Sequence, residues 1–472
     1  MLNTQHVRFS LTLITLYLLS SCSQPLSTLE SVIERGELVV LTRVAPTTYL
    51  SNKSGGASGF EYELSSLFAA RLGVKARFLF PEQFNDVLKL TTEHPADFAA
   101  AGLSITPERE KNLLFTPAYY TVKQQLIYHY RTRRPRSVKQ LKGSFFEILA
   151  GTSHAENLQT LQQMNPALDW VETYNTSVLN LVGMVNDGLL DYTIADSNQF
   201  QILRAQYPML NVAFDISAAE NIAWAFAKTK DRSLYNEAVK FLDEIKRNGI
   251  LNQLQDKYFG YSKQLNYVGR CTFREHLKTR FPVLRDDFHL AAKKYALDWS
   301  LLAAVAYQES HWNPDAVSPT GVRGIMMLTQ ATAKQMKVKD RLDPSQSIEG
   351  GAHYLATRLK KIPSRIGEPD RTWMALASYN IGFGHLEDAR ILTQKHGADP
   401  DKWVDVKRYL PLLADKKWYP KTKYGYARGH EPVTYIGNVR QYITMLEQLE
   451  PSNTNDNENL LNDALEVQLP AL

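Results

Sequence analysis

A chain of 472 residues exceeds the length at which one hydrophobic core usually suffices, so two folded domains are the first expectation. Hydrophobic residues at 44% and charged residues at 22% make the composition that of an ordinary globular protein. The formal charge of +5 is small for this length, and the one short basic run, residues 131–136, reads as a solvated loop, which argues against nucleic acid as a partner.

In chain order, His6 and Arg8 precede an apolar stretch, residues 9–19, that is too short to cross a bilayer as a helix. Residues 1–21 therefore read as a signal peptide. Leu19, Ser20, Ser21 and Cys22 resemble the bacterial lipobox, which implies cleavage before Cys22 and acylation of that residue. Multiple acyl chains give stable anchoring where one does not. An ordinary cleaved signal with an incidental cysteine is the alternative. Ser23, where an acidic residue would favour inner-membrane retention, points to the inner leaflet of the outer membrane, on its periplasmic face. Residues 22–35 then link the anchor to the folded part. Cys271 is the other cysteine and, with Cys22 modified, has no partner for an intrachain disulfide. Neither CxxC nor HExxH occurs, so no metal site and no cofactor are expected.

Residues 36–260 alternate short β-rich runs (38–42, 76–79, 98–101 and 192–195) with helical stretches such as 62–72, the pattern of an α/β domain. Residues 261–281 read as a linker. From 282 to 450 strand signals give way to helical periodicity broken by Gly and Pro, which predicts a mostly α domain. Residues 451–472 are rich in Asn, Asp, Glu and Leu without periodicity and are expected to be disordered.

In the α domain Asp298 is a candidate N-cap for a helix that starts at Trp299 and must stop before Pro314. Leu301, Val305 and Glu309 fall at i, i+4 and i+8, so Glu309 continues an apolar stripe. A carboxyl there loses solvation and its pKa rises, which lets it hold a proton near neutral pH as a general acid must. A structural hydrogen bond at the helix end is the alternative. Downstream stand Trp312, Asn313 and Pro314, then Ser318, Pro319, Thr320, Gly321, Val322, Arg323, Gly324, Ile325, Met326 and Met327. Two further blocks are Ala377, Ser378, Tyr379, Asn380, Ile381, Gly382 and Glu431, Pro432, Val433, Thr434, Tyr435, Ile436. Gly321 and Gly324 permit positive φ or close backbone approach. Trp373, Leu376, Ala377 and Asn380 share one helical face, which predicts a buried Asn380 or, alternatively, a helix C-cap before Gly382.

Taken together, the four blocks resemble the soluble lytic transglycosylase domain, which has a lysozyme-like, mostly α fold. That resemblance implies cleavage of peptidoglycan glycan strands with Glu309 as the catalytic carboxyl. It places Ser318, Met326, Tyr379, Asn380 and Tyr435 along the substrate cleft; Ser318 could equally be a turn residue before Pro319. It also implies that Glu309 protonates the oxygen between N-acetylmuramic acid and N-acetylglucosamine, then deprotonates the C6 hydroxyl, leaving a 1,6-anhydro ring without consuming water. Met327 departs from the glutamine of the family pattern and removes an amide from the cleft wall. Asp315 is the nearby candidate for a second carboxyl, which a hydrolase would need.

Further upstream, Gly59 to Leu64 spell a Gly-Phe-Glu-Tyr-Glu-Leu block, and Ser104, Ile105, Thr106, Pro107, Glu108 and Arg109 form a second. With Gly151, Thr152, Ser153 and Asp196, and the closing Asp256, Lys257, Tyr258, Phe259 and Gly260, they resemble the family 3 periplasmic solute-binding proteins. Such proteins have two α/β lobes, here expected as 36–125 plus 218–260 against 126–217. The resemblance implies that Arg109 grips a ligand carboxylate, Asp196 faces its ammonium, and Ser104 and Thr152 add hydrogen bonds. Arg109 could instead pair with Glu108 or Glu110 on a surface turn, and Asp196 could cap the following helix. An amino acid or a muropeptide stem fragment is the expected ligand, with a regulatory effect on the second domain. The order of the two domains resembles that of the membrane-bound lytic murein transglycosylases of the F type. An anchored binding protein with an inactive glycan-binding module is the competing reading.

Overall fold

The computed structural model describes residues 26–51, 56–93, 95–260, 267–319 and 321–447. The expected signal peptide, Cys22 and the tail 451–472 lie outside the described residues.

The first domain consists of two α/β lobes. In the first lobe the strands run in the order Lys75–Leu79, Glu37–Leu41, Phe98–Ser104, Glu220–Ala227 and Leu113–Phe115, with Tyr120–Val122 also paired to Glu220–Ala227. Its first three strands are parallel, and Glu220–Ala227 runs antiparallel to both neighbours. Apolar residues occupy both faces of this sheet because both are covered. Leu38, Val40, Phe98 and Ala100 point into a core with Phe68, Trp224 and Phe241, whereas Leu41, Ala99 and Ala101 pack with Val87 of helix Phe84–Glu93. The second lobe holds the antiparallel strands Tyr192–Asp196, Gln124–His129 and Leu210–Asp215 and the parallel pair Glu147–Leu149 and Val171–Thr173. The chain crosses between lobes after Val122 and returns at Glu220.

The second domain is helical, and its helices surround one central helix, Trp299–Ser310. Asp298 caps that helix by accepting from the Leu301 amide at 2.8 Å. Residues 300–307 are buried on every side, against Phe281–Tyr295 and His430–Glu447 among others. The segment expected as a linker is largely structured: Tyr267–Thr279 is a helix whose Phe273 and Leu277 belong to the helical core. Phe273 packs on Tyr307 and Tyr442 with ring centroids 4.5 and 4.7 Å away. Its burial depends on partners far along the chain, Tyr307 and Tyr442.

Polar contacts join the two domains. Asp256, in the last helix of the first domain, accepts from Arg440 at 2.8 Å and from Lys407. Gln253 donates to Asp370 at 2.8 Å, and the Lys402 ammonium donates to the Asn248 carbonyl at 2.7 Å. Among the described residues no helix is long and apolar enough to cross a membrane.

Candidate active site

The central helix delivers Glu309 from a sealed core to the surface. His311 and Trp312 both take positive φ, at 53° and 56°, and turn the chain sharply there. Trp312 then folds back, and its indole N–H donates to the Ala303 carbonyl at 2.9 Å. Ser310 holds the helix end to the following loop by donating to the Ile325 carbonyl at 2.8 Å. Glu309 is left partly exposed, with Oε1 accepting from the Tyr435 hydroxyl at 2.7 Å. Burial pushes its pKa up to about 7, and the Tyr435 hydrogen bond opposes that rise. No carboxylate is among the groups that shift it; Asp315 is exposed, its amide turned to Asn313.

Two tyrosines form the rest of the cluster. Burial and the charge on Glu309 push the ionisation of Tyr379 and Tyr435 well above the ordinary range, so both remain hydrogen-bond donors. Tyr379 donates to the Met326 carbonyl at 3.3 Å and stands edge-on to Tyr354, 5.1 Å between centroids. The loop beneath is a compact turn: the Ser318 amide donates to the Val322 carbonyl at 3.0 Å, and the Ser318 hydroxyl accepts from the Val322 amide at 3.2 Å. Gly324 lies at φ 82°, where a Cβ would come within 1.8 Å of the Arg341 carbonyl oxygen. Its neighbour Met326 enters the core and packs where a Cβ on Gly351 would sit.

The cleft between the lobes of the first domain is closed by protein contacts. Arg109, from the first lobe, is buried; its Nε donates to Glu156 at 3.1 Å, and its other nitrogens donate to the Ser104 and Gly151 carbonyls at 3.3 Å. Ser153 donates to the Ser104 hydroxyl at 3.3 Å. Thr152 donates to the Leu149 carbonyl at 2.7 Å, and Asp196 pairs with His154 at 3.1 Å.

A family model described as the transglycosylase SLT domain matches residues 287–401, and the model for bacterial extracellular solute-binding proteins, family 3, matches residues 38–261. A membrane-bound lytic murein transglycosylase F from Saccharophagus degradans is 46% identical over 93% of this chain and 88% of its own. The chain belongs to that family. A second member, from Alkalilimnicola ehrlichii, is 45% identical over 90% of this chain and 86% of its own. Among solved structures, an ancestral arginine-binding protein bound to arginine is 21% identical, with TM-score 0.44, over 48% of this chain and 99% of that one. Membership in the lytic murein transglycosylase F family makes this chain an enzyme with a solute-binding-type domain, rather than a binding protein with an inactive glycan module.

Set against the family pattern, the structure brings Glu309, Tyr379 and Tyr435 together and corrects several expectations. Asn380 is exposed, not buried, near the end of the helix Asp370–Ile381, although its neighbours Tyr379 and Ile381 pack against the core. The Met326 side chain is fully buried, and its carbonyl accepts from the Tyr379 hydroxyl at 3.3 Å. Ser318 sits in a turn, where its hydroxyl accepts from the Val322 amide at 3.2 Å. Arg109 pairs with neither Glu108 nor Glu110, and the Asp196 side chain does not cap its helix. Sequence reasoning missed Tyr354, which braces Tyr379, and Glu156, which faces Arg109 from 47 residues away. Neither carries a local signal; only the pairing of distant elements reveals them.

Proposed function

We propose that Glu309 serves first as general acid and then as general base in a non-hydrolytic cleavage of peptidoglycan glycan strands. The observation that carries this reading is a lone carboxyl, with pKa about 7, hydrogen-bonded at 2.7 Å to Tyr435. Near neutral pH such a group exists in both protonation states, as a single residue must if it donates a proton in one step and takes one in the next. The Glu309 O–H protonates the oxygen joining N-acetylmuramic acid to N-acetylglucosamine, and the C1–O bond breaks. The muramoyl 2-acetamido oxygen supports the anomeric centre meanwhile. The Glu309 carboxylate next removes the C6 hydroxyl proton, O6 bonds to C1, and the acetamido group is released. Atoms balance without water, and the product ends in 1,6-anhydro-N-acetylmuramic acid. Tyr435 holds the carboxyl in place, and Tyr379, its hydroxyl on the Met326 carbonyl, lies close enough to feel the charge of Glu309.

The solute-binding-type domain then reports on the wall: a muropeptide stem fragment or amino acid binds between its lobes and tunes the second domain. Anchoring through an acylated Cys22 would hold the enzyme at the periplasmic face of the outer membrane, in keeping with the membrane-bound designation of its relatives. Glu309→Gln tests the catalytic assignment. With purified peptidoglycan the variant should release soluble muropeptides at least 100-fold more slowly while keeping the wild-type circular dichroism spectrum and melting behaviour. Release at the wild-type rate would remove Glu309 from the chemistry.

A further inference from the structure

The stretch that leads into the helix His430–Glu447, residues 416–428, carries five cations and no carboxylate. It also carries Tyr424 and Tyr426, which are 53% and 57% exposed. The backbone beneath these two rings is held firmly. Asp388, itself buried, accepts from the Lys423 amide at 3.1 Å and the Tyr424 amide at 2.8 Å, and the Ala427 amide donates to the Leu413 carbonyl at 3.0 Å. Three atoms of the Tyr424 ring lie 2.9 Å from the place a Cβ on Gly384 would occupy, so one face of the ring rests on Gly384 and the other is open. Tyr426 stands edge-on to Tyr419, 5.6 Å between centroids. The Lys423 ammonium lies 5.4 Å from the centre of the Tyr424 ring, and neither it nor Lys421 forms an ion pair among the described residues. This ledge adjoins the catalytic cluster on two sides. Gly384 is in the first turn of the helix Phe383–Lys395, which directly follows the helix carrying Tyr379. On the other side Tyr435 lies five residues past His430, about 7.5 Å of helix rise.

We propose that Tyr424 and Tyr426 form a ledge on which the glycan strand lies beyond the bond being cleaved, with Lys421 and Lys423 meeting the carboxylates of its stem peptides. The inference rests on the reading that Glu309 cleaves peptidoglycan strands, and it adds a second grip that selects long, peptide-bearing strands over short ones. A pyranose has an apolar C–H face and a polar rim, which suits an aromatic ring that is open on one side and carries a hydroxyl at its edge. Fixing the loop in advance spares the strand the cost of ordering it. The cations complement the negative charge of the stem peptides, and their position beside the rings places both contacts on one strand.

Steady-state kinetics of the full-length chain on three purified substrates test this. They are a peptide-bearing tetrasaccharide, long peptide-bearing glycan strands, and the same long strands stripped of their peptides by an amidase. Wild type should show a higher kcat/KM on long strands than on the tetrasaccharide, which extends only two sugars to either side of its central bond. Replacing both rings, Tyr424→Ala with Tyr426→Ala, should lower the ratio of the two kcat/KM values about tenfold, chiefly through KM on the long strands. Lys421→Gln with Lys423→Gln should instead lower the ratio for peptide-bearing over stripped long strands about threefold. A double-tyrosine variant that keeps the wild-type length ratio, or loses activity equally on short and long strands, would overturn the ledge and leave the role of Glu309 standing. So would a double-lysine variant that keeps the wild-type preference for peptide-bearing strands overturn the charge contact. Wild type that cleaves none of the three substrates would overturn both the ledge and the reading it rests on.

Discussion

Tyr435 does two things to Glu309 through one hydrogen bond. It fixes the position of the carboxyl at the end of a buried helix, and it favours the ionised form against the burial that raises the pKa to about 7. Removing the hydroxyl therefore has a signed consequence. Tyr435→Phe should slow turnover by roughly 10- to 100-fold, the range expected when a charged hydrogen bond at a reacting group is lost. Because the donor no longer stabilises the carboxylate, the Glu309 pKa should rise further, and the alkaline fall of the rate should move to higher pH. A pH–rate profile of both proteins checks this; a limb shifted to lower pH would contradict it. Glu309 was legible in the sequence because its i, i+4, i+8 register with Leu301 and Val305 follows from helix geometry alone. Asn380 was not, since the same periodicity gives the face of a helix but not the point at which that face leaves the core. Met326 marks the other gap: a motif position does not state whether the side chain or only the carbonyl, here the acceptor from Tyr379, meets the neighbouring residues.

Between residues and domain stands the loop after the central helix, where glycine spacing decides the geometry. Gly321 and Gly324 share a left-handed backbone, at φ 80° and 82°, but their surroundings differ. Nothing lies within 4 Å of a Cβ at Gly321, whereas one at Gly324 would collide with the Arg341 carbonyl. Gly321→Ala should thus cost about 1 kcal/mol, the backbone penalty alone. Gly324→Ala should cost about 3 kcal/mol or more, and should displace the Met326 carbonyl on which Tyr379 rests. Urea denaturation of the two variants measures the difference, and equal losses would show that the Arg341 contact yields freely. The strands at 37–41 and 98–104 and the helix 60–72 were likewise readable to within a few residues. The helix Tyr267–Thr279 was not, because Phe273 finds its partners at Tyr307 and Tyr442.

Across the whole molecule, Asp256 joins the two domains. Burial disfavours its charge, yet Arg440 and Lys407 outweigh burial and hold its pKa below the ordinary value of 3.8. Arg440 is itself buried, over the Trp373 ring at 5.0 Å, and lies on the same helix, His430–Glu447, that carries Tyr435. Asp256→Ala leaves that guanidinium without its carboxylate and should lower stability by about 3–5 kcal/mol near neutral pH. The sign with pH follows from the lowered pKa: the wild-type advantage is fully present above 3.8 and is lost as pH falls through the folded-state value. Chemical denaturation at pH 7 and in acid should show the two proteins converging; a constant difference would locate the effect elsewhere. The closing run from Asp256 was recognisable as the end of a solute-binding-type domain, but its partner stands 184 residues away and no local pattern announces it.

A single carboxyl acting without water is the centre of the account, and the masses of the products test it most directly. Purified peptidoglycan digested by the wild-type enzyme should yield muropeptides ending in 1,6-anhydro-N-acetylmuramic acid, each lighter by one water than its hydrolysed counterpart. Reducing-end N-acetylmuramic acid as the main product would contradict it, and would require a second group to activate water beside Glu309.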